Sequence, residues 1–179
     1  LLKNMNATLV VFEYPGFGKD FNVPGERIFL KQAIGLVRQI KEKNSKNLPI
    51  YLMGESLGTG VATHVAAQTD INGLILVSAY PSMAQVAQYH YPLFPAKYLI
   101  KHKFNANIWA GQTLAPAILF HGIEDDIIPI HFARQQVLNF QGKAELVEMQ
   151  DCGHNDLIDK GEQILQEKIR DFLSKTADH

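Results

Sequence analysis

The chain has 179 residues, 46% of them hydrophobic, which suits one domain with a real core and excludes a disordered or fibrous chain. Its 17 basic and 18 acidic residues leave a formal net charge of −1, which gives no long-range field for nucleic acid or an anionic membrane surface and suits a small neutral or weakly charged substrate. A single cysteine, Cys152, excludes an internal disulfide and the paired cysteines of a zinc site, as expected in a reducing compartment such as the cytoplasm, and no apolar run reaches the ~18 residues that span a bilayer.

In chain order, Leu1 to Asn6 reads as a helix tail or loop, and Ala7 to Phe12 as an apolar strand covered on both faces. Glu13 Tyr14 Pro15 Gly16 Phe17 Gly18 ends that strand, because proline and two glycines do not continue one. Pro24 and Gly25 open an amphipathic helix to about Lys43, with Ile28, Leu30, Ala33, Val37 and Ile40 near a 3.6-residue period. Pro49 to Met53 is a second strand. It runs into Gly54 Glu55 Ser56 Leu57 Gly58, and a helix of small residues follows to about Gln68. Gly73 to Ser78 is a third strand. Residues 79 to 113 then break the rhythm: Pro81, Pro92 and Pro95 among Tyr80, Tyr89, Tyr91, Phe94, Tyr98, Phe104 and Trp109 predict short helices in an aromatic excursion. Ala115 to His121 is the fourth strand, Pro129 to Phe140 a helix, Ala144 to Glu148 the fifth strand, and Leu157 to Leu173 a closing helix.

Strands alternating with helices imply right-handed crossovers and a mostly parallel sheet with helices on both faces, an α/β three-layer sandwich. Chemistry in such sheets gathers at the carboxyl ends of the strands. Ser56, the Glu124 Asp125 Asp126 cluster and His154 all fall just after a predicted strand and should share one rim.

G-x-S-x-G between a strand and a helix describes a sharp turn that presents a serine hydroxyl. The turn needs glycines because side chains on either side of the serine would collide. A serine becomes nucleophilic when an imidazole takes its proton, and a carboxylate must orient that imidazole. Of the seven histidines, His154 sits in a polar turn, Asp151 to Asp156, after the last strand and is free to reach over the sheet. His121 ends a strand beside Gly122 and reads as a buried, hydrogen-bonded residue, and His64, His90, His102, His131 and His179 have ordinary structural readings. The acid comes from Glu124, Asp125 and Asp126, a turn that could equally cap the helix near Pro129. With Asp125 as the acid, the order Ser, Asp, His has separations of 69 and 29 residues. Cys152 reads as an incidental thiol, since nothing places a second base beside it.

Four stretches resemble the α/β-hydrolase superfamily, near its prolyl oligopeptidase-like and protein-depalmitoylase-like branches. Residues 13 to 18 resemble a D-Y-R-G-Y-G turn, Gly54 to Gly58 is G-E-S-L-G, His121 to Asp125 matches H-G-x-x-D, and Gly153 to Asp156 is G-H-N-D. The resemblance implies a partial α/β-hydrolase fold of about five strands over residues 1–179, with residues 79–113 as a short helical lid. It implies Ser56 as nucleophile, Asp125 as the orienting acid and His154 as the base, with Leu57 N–H as an oxyanion donor and Tyr80, Tyr89, Tyr91 and Phe94 facing the substrate pocket. No metal or organic cofactor is required. Expected substrates are small-molecule or acyl-protein esters and thioesters, with peptide-like amides less favoured by the aromatic excursion.

The departures are equally specific. Pro15 and Glu13 replace an arginine and an aspartate, so the ion pairs that arginine would make are absent. The family places a second oxyanion donor after a third strand, upstream of the strand that Ala7 to Phe12 resembles, so an N-terminally truncated domain is expected. Losing that donor implies turnover lower by about 10²-fold to 10³-fold. The alternative is a catalytically impaired domain that binds a ligand or partner.

Overall fold

The computed structural model describes residues 7–17 and 23–177. The expectations for residues 1–6, Gly18 and His179 lie outside them. Helix α1 (Glu26–Lys43) precedes β1 (Tyr51–Glu55), α2 (Leu57–Ala66) and β2 (Gly73–Val77). The excursion follows as α3 (Met83–His90), α4 (Ala96–Leu99) and α5 (Ala106–Ala110). The chain closes with β3 (Ala117–Gly122), α6 (Ile130–Val137), β4 (Ala144–Met149), α7 (Leu157–Lys160) and α8 (Glu162–Thr176).

The four strands are parallel in the order β1-β2-β3-β4, with Glu55 opposite Val77, Val77 opposite Phe120 and Phe120 opposite Val147. A sheet that grows always in one direction through right-handed crossovers puts its connections on one face. Accordingly Leu74, Leu76 and Leu119 pack with Phe29 of α1, Val61 and Val65 of α2 and Phe132 of α6. The other face, Ile75, Val77, Ile118 and Phe120, is covered by Leu157, Leu165 and Ile169 of the last two helices. β2 and β3 are therefore buried on both sides, which is why their sequences are continuous apolar runs.

Two expectations change. Residues 7–12 form no strand, so the sheet has four strands among the described residues rather than about five. Leu9, Val10 and Val11 are exposed. A strand needs a neighbour to complete its hydrogen bonds, and residues 7–12 pair with none of these four strands. The closing helix, read as continuous, breaks at Gly161. Gly161 has φ −93° and ψ 5°, and an added Cβ there would sit 2.5 Å from Met149 Cε and 2.7 Å from Leu157 O.

The excursion is anchored at its return limb by α1. Glu26 accepts the N–H groups of Lys103 (2.9 Å) and Phe104 (3.1 Å), and its own N–H donates to His102 Nδ1 at 3.3 Å. Phe104 has φ 41°, a left-handed conformation that this clamp stabilises.

Candidate active site

β1 delivers Ser56 into the turn, and α2 leaves from it. Ser56 has φ 49° and ψ −119°, a combination rare for any residue with a side chain. Its N–H donates to Val77 O at 2.9 Å, which continues the β1–β2 ladder, and its carbonyl accepts Thr59 N–H (2.9 Å) and Thr59 Oγ1 (2.7 Å). The strain is thus held from both sides. Gly54 is required, because a Cβ there would strike the Gly58 carbonyl and lie 2.9 Å from Thr59 N. Gly58 is required less strictly: its Cβ would meet only the Tyr14 hydroxyl, at 3.2 Å. Leu57, the first residue of α2, points its N–H out of the helix start, where the aligned peptide dipoles favour negative charge.

Asp125 and His154 lie in the loops after β3 and β4, and hydrogen bonds join these two loops. Ile123 N–H donates to Met149 O (2.9 Å) and Glu124 N–H to Cys152 O (3.0 Å). Gly122 permits this approach, since a Cβ there would strike the Cys152 carbonyl and lie 3.1 Å from Gly153 O. On the base side, Asp151 takes φ 54° and Asp156 Oδ1 accepts Gly153 N–H at 2.7 Å. His154 is thereby placed with Nδ1 2.8 Å from Asp125 Oδ2 and Nε2 3.0 Å from Ser56 Oγ.

Asp125 is buried, whereas its neighbours Glu124 and Asp126 are exposed. Its Oδ1 accepts the N–H groups of Ile127 (3.0 Å) and Ile128 (2.7 Å). Its Oδ2 faces both His154 and His121, the latter at 3.3 Å. Burial pushes its pKa up, but hydrogen bonds from His121, His154 and Ile128 N–H outweigh it, and the carboxyl is held well below the usual range. The Asp125 hydrogen bond in turn raises the pKa of His154 above its ordinary value, against the opposing effect of burial. This row can pass a proton from hydroxyl to imidazole while the carboxylate stabilises the resulting cation.

His121 is buried and hydrogen-bonded, as read from sequence, but its position says more. Nε2 lies 2.6 Å from Ile128 O and also faces Asp125, two oxygen acceptors, so Nε2 carries the proton. Asp125 is therefore braced by a second imidazole. The only sequence signal for it is the H-G-x-x-D spacing.

The four expected pocket residues separate. Tyr80 is fully buried in the core on α2, with its hydroxyl 3.3 Å from Leu57 O, so it supports the helix rather than facing solvent; burial pushes its phenol pKa up strongly. Tyr89, Tyr91 and Phe94 are exposed on the excursion. Tyr89 packs edge-on to His90 and Phe132. His64 meets Trp109 edge to face at 4.6 Å, and burial lowers its pKa. The Cys152 thiol is buried and burial raises its pKa, the reverse of an activated thiolate.

No protein-family model matches the chain. An uncharacterized protein of Mycobacterium tuberculosis H37Rv is 28% identical over 179 residues, which covers 98% of this chain and 63% of that protein. The lysophosphatidylserine lipase ABHD12 of Rattus norvegicus is 28% identical over 155 residues, covering 75% of this chain and 38% of the lipase. The chain thus spans less than two thirds of the length of these relatives. Among solved structures, Est1E from Butyrivibrio proteoclasticus, with ferulic acid bound, matches with a TM-score of 0.73 at 18% identity, over 93% of this chain and 76% of that one.

Proposed function

We propose that this chain, which has the α/β-hydrolase fold, is a serine hydrolase that transfers acyl groups from a carboxylic ester or thioester to water. The observation that carries the proposal is the continuous row from Ser56 Oγ to His154 to Asp125, at 3.0 Å and 2.8 Å, with the serine in a strained turn at a helix start. In this mechanism His154 Nε2 takes the Ser56 proton as Oγ attacks the carbonyl carbon. The Leu57 N–H meets the developing oxyanion, and Asp125 stabilises the imidazolium. His154 then protonates the leaving group, and water, deprotonated by the same nitrogen, releases the acyl group. The lipase relative supports ester chemistry. Residues 79–113 serve as the lid.

One observation favours a second reading, a binding module that retains the turn. β1 is an edge of the sheet among the described residues, and the third strand, after which the family places its second oxyanion donor, has no counterpart among them. Labelling with a fluorophosphonate probe separates the two, with the modified peptide mapped by mass spectrometry. Modification at Ser56 that both Ser56→Ala and His154→Ala abolish is expected of the hydrolase. An unmodified, folded chain would support the binding module.

A further inference from the structure

Between Asp70 and Glu124 the sequence contains no aspartate or glutamate, yet Lys97, Lys101 and Lys103 lie there. None of the three is in an ion pair among the described residues. A chain with a net charge of −1 therefore keeps a uniformly positive segment. The same segment carries a run of exposed apolar side chains: Tyr91, Leu93, Phe94, Tyr98 and Leu99 are 61%, 91%, 65%, 73% and 74% exposed.

These side chains are displayed by a built turn. Gln88 Nε2 donates to Tyr91 O (3.2 Å) and Phe94 O (2.9 Å), and Gln88 Oε1 accepts Lys97 N–H at 3.4 Å. Pro92 and Pro95 stiffen the same stretch. One amide side chain thus satisfies the turn backbone from the inside, leaving its apolar side chains to face outward. Contiguous exposed apolar surface on a folded domain marks a contact site.

We propose that residues 89–101 are a docking surface for an anionic phospholipid bilayer. Leu93, Phe94 and Leu99 enter the acyl boundary, Tyr91 and Tyr98 lie at the headgroup level, and Lys97 and Lys101 meet lipid phosphates. Charge decides among occupants. Lysine is depleted in the apolar core of protein interfaces, whereas aromatic and aliphatic groups rimmed by lysine and free of acids suit the bilayer interface. Docking is peripheral, since no helix among the described residues is long and apolar enough to cross a membrane. The proposal does not depend on the hydrolase reading.

The test is co-sedimentation of the Ser56→Ala chain with vesicles of phosphatidylcholine alone and of phosphatidylcholine mixed with phosphatidylserine. Two exposed lysines predict binding to the mixed vesicles about 10-fold to 30-fold tighter than to neutral ones, weakened by added salt. Lys97→Glu with Lys101→Glu should remove that preference. Leu93→Ser with Phe94→Ser should weaken binding to both vesicle types by about 10-fold or more. All these positions are exposed, so thermal melting should be unchanged in both double variants. Equal binding to the two vesicle types, no binding, or wild-type binding by either variant would overturn the proposal. So would a concentration-dependent dimer that Leu93→Ser with Phe94→Ser dissolves, which would assign the patch to a second copy of the chain. A fluorophosphonate result at Ser56 of either kind leaves this test intact.

Discussion

At the scale of single residues, Asp125 accepts from two backbone amides and faces two imidazoles from inside the protein, so its charge is already committed. Asp125→Asn keeps the shape but places an amide donor where donors already point. It should lower phosphonylation of Ser56 by about 10⁴-fold while the chain stays folded, read as the labelling rate beside a melting curve. His121 supplies a finer test. His121→Leu removes the second imidazole and strands the buried Ile128 carbonyl, costing about 1–3 kcal/mol in denaturant unfolding. It also frees Asp125 Oδ2 to act on His154 alone, so the midpoint of the pH–rate curve should move upward. His121→Gln restores a donor near Nε2 and should bring both readouts back; an unmoved midpoint in both variants would make His121 purely structural. In the native chain the rate should rise as His154 loses its proton, with a midpoint above 6.5, the ordinary histidine value. The stability signs differ between the two groups. His154, with a raised pKa, contributes stability that is complete below about 6.5 and lost as pH rises through its folded value. Asp125, with a depressed pKa, contributes stability that is present above about 3.8 and lost as pH falls through its folded value. Melting temperature against pH measures both.

At the scale of elements, the two glycines of the serine turn have unequal duties. Gly54→Ala would set a Cβ against the Gly58 backbone, which cannot move without uncoiling the first turn of α2. It should cost about 3 kcal/mol or more and abolish labelling, whereas Gly58→Ala meets only a tyrosine hydroxyl and should cost far less. Melting curves of the two variants check this contrast. The G-x-S-x-G pattern predicted the turn and the need for both glycines, but only the folded turn ranks them. Amphipathic α1 and the apolar runs of β2 and β3 were legible for a similar reason, because period and composition follow burial directly. The break at Gly161 was not, since the residues around it keep a helical spacing. Residues 7–12 mislead in the opposite sense. Their composition fits a strand, but strand formation depends on a neighbour that local sequence does not describe.

At the scale of the whole molecule, Ser56, Asp125 and His154 were legible as a set because each follows a strand, and a parallel sheet brings those ends to one rim. The choice of Asp125 over Glu124 and Asp126 rested on the family resemblance. Its physical basis, burial under the Ile127 and Ile128 amides, depends on how the loop folds back. The burial of Tyr80 was not legible, because an aromatic residue after a strand has the same spelling in a core as at a surface. Net charge hid more than it showed, since a total of −1 averages over a segment of more than fifty residues without an acid. One hydrogen bond spans these regions: His90 Nε2, at the end of α3, lies 2.8 Å from Ile127 O, whose own N–H is held by Asp125. Thermodynamics makes such a bridge two-way. A surface that displaces α3 and a ligand that displaces the acid loop work against the same bond. By whatever factor occupancy of one changes the affinity for the other, the reverse factor is identical.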